Sequence, residues 1–169
     1  MSSDRNPCCG RSASPKETTI SEAEYDEIET TILEVARYYW QTFAIPESQS
    51  WLFALQRAES RFPGPNGAEV GLETLAAVQA MRMSRSSCFR FNNPSCAHCA
   101  RIVSEHERQF MNIFQAVRAG RMGPARTHAM ILCEGNDTDK LILRMQALAK
   151  VAVPELSNDV VSESHAQLA

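Results

Sequence analysis

SEAEYDEIETTILEVARYYWQTFA, residues 21–44, decides the fold class because its apolar residues recur at intervals of three and four. Those residues are Ile28, Ile32, Val35, Tyr39 and Phe43. This period places them on one face of an α-helix, and the opening SEAE matches a capping box. The stretch therefore predicts a long amphipathic helix that begins at residue 21 and ends before Pro46.

Five further helices are predicted after this stretch. The same apolar period indicates each helix, and turn-forming residues separate one helix from the next. They cover about 46–62, 68–84, 93–119 and 123–133, and a last helix capped at 136–139 runs to about 152. Asn93-Pro94 starts the fourth, with Asn as the cap and Pro at the first helical position. For residues 128–133 a short buried strand is the alternative, since the segment is brief and apolar. We expect an all-α fold: a single compact domain of about six helices over 20–153, with flexible tails at 1–19 and 154–169.

Composition is that of an ordinary globular protein, with 169 residues, 44% hydrophobic and 22% charged, and a net charge of −3. The acidic balance argues against a wholly basic nucleic-acid binder. No run approaches the roughly 18 apolar residues of a membrane span, and the polar N-terminus is unlike a signal peptide. We therefore expect a cytoplasmic protein that binds no membrane and whose cysteines stay reduced.

A cysteine cluster lies at the centre of the chain, in CFRFNNPSCAHC, residues 88–99. Cys96 and Cys99 form a C-x-x-C pair, a spacing that lets two sulfurs converge on one metal ion. The predicted fourth helix places both in its first turn, where the helix dipole favours thiolates. Cys88 is the expected third ligand and Cys133 the fourth, which predicts a closed structural zinc site.

Alternatives to this ligand set remain open at the level of sequence. His98, His106 and His128 are the substitute ligands for a site of three sulfurs and one imidazole. The same thiolates could hold an iron–sulfur cluster. With no metal, Cys88 and Cys133 would be small buried hydrophobes and the C-x-x-C an incidental pair.

The tetrapeptide Cys96-Ala97-His98-Cys99 also resembles the active-site motif of thioredoxin-like disulfide oxidoreductases. The resemblance covers about a dozen residues, including the preceding Phe89 and Phe91. It implies that Cys96 would attack as a thiolate and that Cys99 would resolve the mixed disulfide. It also implies a βαβ context and a cis-proline opposite the cysteines. The chain has no proline just before residues 130–132.

Arginines concentrate around the cysteines, since residues 82–126 contain eight arginines and only two acidic residues. The expected partner-binding residues are Arg82, Arg85, Arg90, Arg101 and Arg108. Arginine forks suit phosphate or carboxylate, so this face could bind an acidic protein or, as the less favoured partner, nucleic acid. The alternative, which we favour, is that the arginines pair with the acidic first helix of the chain itself.

Signatures of common enzymes are absent from the sequence: there is no phosphate-binding loop, no dinucleotide-binding glycine pattern, no nucleophile elbow and no H-E-x-x-H. This argues against catalysis. The sequence therefore predicts a small cytoplasmic helical protein that binds zinc and acts as an accessory or regulatory module, with another protein as its partner. The alternatives are a thiol-disulfide oxidoreductase and a metal-free helical adaptor with an arginine-rich face.

Overall fold

Seven α-helices and one short ribbon make up the computed structural model, which describes residues 12–153. The helices are α1 (Ile20–Ala23), α2 (Glu27–Ala44), α3 (Trp51–Arg61), α4 (Asn66–Ser84), α5 (Glu105–Arg118), α6 (Met122–Leu132) and α7 (Asp139–Ala152). The ribbon pairs β1 (Thr18–Thr19) with β2 (Ile102–Val103). The predicted all-α fold is confirmed, with seven helices rather than about six.

The predicted first helix is two helices, because the chain turns at Glu24. Thr19, rather than Ser21, caps α1, and its capping box is completed by Glu22. Glu24 then adopts a left-handed conformation with φ of 52°, which ends α1 after one turn. Asp26 starts α2 through a second capping box with Glu29. The cap predicted at Ser21 and the single continuous helix were wrong, because the apolar period does not show that two separate capping boxes start two helices.

The core is built from the apolar faces that the sequence period identifies. Helix α4 packs against α7, α5 packs against α6 and α7, and α2 packs against α3 and α4. The large side chains that are fully buried in this core include Ile32, Leu33, Met81, Phe110, Phe114, Met145 and Leu148. Gly67 allows the close approach of α3 and α4, since a Cβ there would lie 2.7 Å from the Cα of Glu59.

The predicted fourth helix is wrong at its start, because residues 93–104 form turns and β2 instead. Asn93 caps a tight turn rather than a helix: its side-chain oxygen accepts the N–H of Ser95 at 2.9 Å. Helix α5 begins at Glu105, where Ser104 and Glu107 form a capping box. A helix that continued back to Pro94 would remove the β1–β2 pairing and the buried contacts of the turn described below.

The remaining predictions differ less from the structure. Residues 122–132 are helical, so the strand alternative for 128–133 is wrong. The predicted flexible N-terminal tail overlaps β1, which is paired with β2. The predicted C-terminal tail lies outside the described residues. Over the part of the chain that the structure describes, no helix is long and apolar enough to cross a membrane.

Candidate functional site

The C-x-x-C pair lies in a turn that leads into β2, and not in the first turn of a helix. The backbone N–H of Cys96 donates to the backbone carbonyl of Asn93 at 3.3 Å. The N–H of Ala100 donates to the Cys96 carbonyl at 2.8 Å. A short 3₁₀ turn follows at Cys99–Arg101. Cys96 is half-buried and Cys99 is buried. The expected stabilisation of thiolates by a helix N-terminus was therefore wrong, because α5 starts only at Glu105.

A buried arginine of α2 holds this turn in place. The Arg37 guanidinium donates to the carbonyl of Ala100 at 2.7 Å and to that of Ile102 at 2.5 Å. It also forms a forked pair with Glu107 of α5, at 2.7 and 3.1 Å. The side chains of Arg37 and Glu107 are 1% and 0% exposed. One side chain thus fixes both ends of the segment that follows Cys99 to the helical core.

The Glu107 carboxylate accepts hydrogen bonds from several donors, which explains how a negative charge can be stable on a side chain with no solvent exposure. Besides the Arg37 fork, it accepts the backbone N–H of Ser104 at 2.7 Å. It also accepts the backbone N–H and the side-chain amide of Asn92, at 2.9 and 3.1 Å. Paired and fully hydrogen-bonded buried charges are stable, whereas an unpaired one is not. This centre was not predicted from the sequence, where its one local signal is the Ser104-x-x-Glu107 capping box.

The ribbon brings the N-terminal segment alongside this centre. Its register aligns Thr18 with Val103 and Thr19 with Ile102, immediately after the 3₁₀ turn. Upstream of β1, Ser14, Lys16 and Glu17 line a cavity of about 330 Å³ that residues 89–92 also line. The N-terminal segment and the segment leading to Cys96 therefore contribute to one cavity.

The other two predicted cysteine ligands lie elsewhere. Cys133 is fully buried at the C-terminal end of α6, where burial raises the pKa of its thiol more than its hydrogen bond with Ser84 lowers it. Cys88 is exposed and lines a different cavity, next to Trp40. Within residues 12–153 no three His, Cys, Asp or Glu side chains lie close enough to hold a metal ion. The structure therefore does not bring Cys88 and Cys133 to the C-x-x-C pair, because the packing of α6 directs Cys133 into the core.

Among the substitute ligands, His106 is engaged within an aromatic cluster. Its ring lies 5.4 Å from that of Phe89, and its Nδ1 accepts the backbone N–H of Arg90 at 2.9 Å. The pKa of His106 is lowered, first by burial and then by the nearby charges of Arg85 and Arg90. The His106 ring therefore packs against the aromatic cluster, with its Nδ1 occupied by the backbone N–H of Arg90.

The other two predicted substitute ligands, His98 and His128, lie on different elements from His106. His98 is exposed within the C-x-x-C turn. His128 on α6 is half-buried, and its Nδ1 lies 2.7 Å from the side-chain oxygen of Gln109. The role of His98 and His128 as substitute metal ligands stays a prediction. Of these two, His98 is the histidine that belongs to the C-x-x-C turn.

The five predicted partner-binding arginines do not share one environment. Arg85 is only 5% exposed and pairs with Glu134 at 3.0 Å. The guanidinium of Arg82 lies over the Phe43 ring, 3.7 Å from its centroid. Arg90 and Arg101 are exposed and Arg108 is half-buried. A partner-binding role for these residues stays a prediction.

Internal pairing accounts for other arginines of the basic stretch. Arg118 contacts Asp26, and it approaches Glu29 at 3.4 Å, both on the acidic N-terminal part of α2 or its cap. Arg126 lies 3.3 Å from Asp139. Of these two, Arg118 pairs with the acidic first helix as that interpretation expects, whereas the partner of Arg126 belongs to α7. Pairing of the whole basic stretch with the first helix stays a prediction.

Comparison of the chain with protein-family models, with curated proteins and with solved structures gave no match.

Proposed function

We propose that this chain is a zinc-binding helical accessory protein in which Cys96 and Cys99 provide two of the ligands. The observation that carries the proposal is the turn that holds them. It is tied to the core by the bonds from Arg37 to the carbonyls of Ala100 and Ile102. A C-x-x-C pair in a turn of fixed shape is preorganised for a metal, since binding then orders little further backbone.

The remaining two ligands must come from beyond the described residues or from a partner. Cys8 and Cys9 are the cysteines of the chain that lie outside those residues. Cys9 is five residues before Ser14, and Cys96 is four residues after Asn92. Ser14 and Asn92 line the same cavity. Five extended residues span at most about 17 Å, which is the length of chain that this proposal allows between Ser14 and Cys9.

Four thiolates form a closed tetrahedral site, which is the arrangement of structural rather than catalytic zinc. In this proposal the ion fastens the N-terminal segment to the helical domain and extends the attachment that the β1–β2 ribbon begins. The consequence is a metal-dependent N-terminal surface on a stable helical domain. In this proposal, the accessory or regulatory protein would bind its partner through this metal-dependent surface.

A thiol-disulfide activity has less support. The described residues contain two strands of two residues each, and the C-x-x-C pair does not open a helix. A thioredoxin-like site needs both a sheet and that helix. We therefore propose no redox step.

Metal analysis of the full chain, purified without chelator, tests the proposal. We expect about one equivalent of zinc per chain, and less than about 0.2 equivalents of any metal would refute it. Cys96→Ser together with Cys99→Ser should abolish binding. The matched control, Cys88→Ser with Cys133→Ser, removes the same number of thiols and should retain the ion.

A third double variant, Cys8→Ser with Cys9→Ser, tests whether these two cysteines are the remaining ligands. This question is separate from whether the chain binds zinc at all. Loss of zinc in this variant supports the complete set. Full retention refutes the N-terminal ligands while leaving the metal function in place. Loss of zinc in the Cys88/Cys133 control would instead support the ligand set predicted from sequence. A brown protein with iron and sulfide would replace zinc by an iron–sulfur cluster.

A further inference from the structure

The loop after α4, residues 85–92, packs against the helical core through its two phenylalanines. Phe89 and Phe91 line both the cavity of about 330 Å³ beside the N-terminal segment and a mostly apolar cavity of about 290 Å³ beside Trp40. The Phe89 ring stacks on the Trp40 ring, with centroids 4.4 Å apart. A movement of this loop therefore changes access to both cavities.

Two carboxylates anchor the ends of the loop. Near its start, the Glu134 carboxylate accepts the backbone N–H groups of Ser86 and Ser87, at 2.9 and 3.1 Å. At its end, the Glu107 carboxylate accepts the backbone N–H of Asn92 at 2.9 Å. The hydrogen bond from the Ser87 hydroxyl, together with those from the backbone, lowers the pKa of Glu134 to about 2. The anchor at the start of the loop therefore stays ionised over the range in which a histidine titrates.

A histidine of α5 holds the middle of the loop. The Nδ1 of His106 accepts the backbone N–H of Arg90 at 2.9 Å, and the His106 ring lies 5.4 Å from the Phe89 ring. On its other side, the Arg90 carbonyl accepts the Ser104 hydroxyl at 2.7 Å. Of these two hydrogen bonds on Arg90, only the one to Nδ1 depends on the protonation of a side chain. A backbone N–H can only donate, and both ring nitrogens of an imidazolium are donors.

The surroundings of His106 favour the neutral ring. Burial lowers the pKa of His106 from its ordinary value of 6.5, and the charges of Arg85 and Arg90 in the loop lower it further. Glu105 on α5 and Glu134 after α6 act in the opposite direction. The ring also stands in the first turn of α5, where the helix dipole disfavours a positive charge. The closed loop therefore stabilises the neutral imidazole.

A fall in pH weakens this contact. Because the pKa of His106 is lower in the folded protein than its ordinary value, the contact is complete above about pH 6.5 and is lost as the pH falls through the folded pKa. The ring is half-buried, so it can exchange protons with solvent. Once it is protonated, the Nδ1–H and the Arg90 N–H are two donors facing each other, which is unfavourable.

We propose that His106 is a pH-sensitive contact, which keeps the loop closed while it is neutral and opens the middle of the loop when it is protonated. The bond that breaks joins the Arg90 N–H to Nδ1, and the adjacent Phe89 ring then separates from Trp40. The opening is local, because the carboxylate anchors remain at both ends. The inference is independent of the zinc proposal, since none of the four proposed zinc ligands lies in the loop.

Amide hydrogen exchange of the full chain, followed by proton–nitrogen correlation spectra between pH 8 and pH 4.5, tests the proposal. Each rate is divided by the intrinsic exchange rate at the same pH, which gives a protection factor. We expect the protection of the Arg90 amide to fall about tenfold, the equivalent of about one hydrogen bond, with a midpoint below pH 6.5. The amides of Ser86 and Ser87 should keep their protection, because their acceptor is Glu134.

Three variants identify the titrating group. His106→Asn keeps an acceptor, since the side-chain oxygen of asparagine is bonded to Cγ as Nδ1 is, and it does not titrate; the Arg90 protection should then be constant across the range. His106→Phe keeps a ring without an acceptor, so the protection should already be low at pH 8. His128→Asn alters the other half-buried histidine, on α6, and should keep the pH dependence of the unmodified chain.

The proposal is overturned if the Arg90 protection is unchanged down to pH 4.5, or if His106→Asn shows the same fall as the unmodified chain. A loss of protection at Ser86 and Ser87 together with Arg90 would also overturn it, because the opening would then be a general unfolding rather than a local one.

Discussion

Replacing Arg37 by Met should be among the most destabilising single changes in this protein. The variant removes the fork to Glu107 and leaves that carboxylate buried with only the Asn92 and Ser104 donors. It also removes the donors to the carbonyls of Ala100 and Ile102. Removing one partner of a buried ion pair costs about 3–5 kcal/mol, because the other charge stays desolvated.

That cost is large relative to the total stability of about 5–15 kcal/mol that is usual for a domain. With a urea dependence of about 2 kcal/mol per molar, the unfolding midpoint measured by circular dichroism should fall by about 2 M. Arg57→Met is the matched control. Its pair with Glu34 is about one-third exposed on both sides, so its loss should cost at most about 1 kcal/mol.

If Arg37→Met fails to fold, Arg37→Lys supplies the comparison. Lysine keeps the charge but not the planar fork, so an intermediate loss of stability is expected. An equally small shift of the urea midpoint in Arg37→Met and in Arg57→Met would contradict a stabilising role for the buried pair. Zinc affinity provides a second readout, since release of the turn should weaken metal binding even in variants that remain folded.

The remaining predictions concern three other positions. Hydrogen bonds from Ser87 and from the backbone lower the pKa of Glu134 to about 2 from its ordinary value of 4.5. The stabilisation it provides is thus complete above about pH 4.5 and lost towards pH 2, and Glu134→Gln should flatten the dependence of the urea midpoint on pH over that interval. Gly67→Ala should destabilise by about 1–3 kcal/mol because its Cβ meets the Glu59 backbone, whereas Gly123→Ala, with open space around it, should be neutral or slightly stabilising in the same assay. Cys133 should resist a thiol reagent at pH 8 until urea unfolds the chain; rapid labelling of the native protein at this residue would contradict its burial.

Local patterns in the sequence were sufficient for most helices. The apolar period of α2 and the stops around Gly64 and Gly120 depend only on neighbouring residues. Gly120 follows the C-cap of α5 with a φ of 68°, the left-handed conformation that commonly ends a helix. A helix forms or ends through contacts over three or four residues, so its signal is contained in a short window of sequence.

The candidate site was predicted only in part. The C-x-x-C spacing identified Cys96 and Cys99 as a pair, and that pairing is a property of four consecutive residues. Whether Cys88 or Cys133 joins them depends on how α6 and the loop after α4 pack. No spacing along the chain reports that packing, and only the structure shows that Cys133 is buried in the core and that Cys88 lines a separate cavity.

Sequence patterns were therefore sufficient for the helical class, the approximate helices and the C-x-x-C pair. That the segment before α5 is a turn follows only from the packing of distant elements. Arg37 and Glu107 are 70 residues apart, and in sequence each is a charge that one expects to face solvent. Their burial becomes favourable only when α2 and α5 meet and supply both charges and the surrounding donors together. The start of α5 and the position of Cys96 and Cys99 then follow from that contact, because the physical cause is long-range pairing rather than local preference.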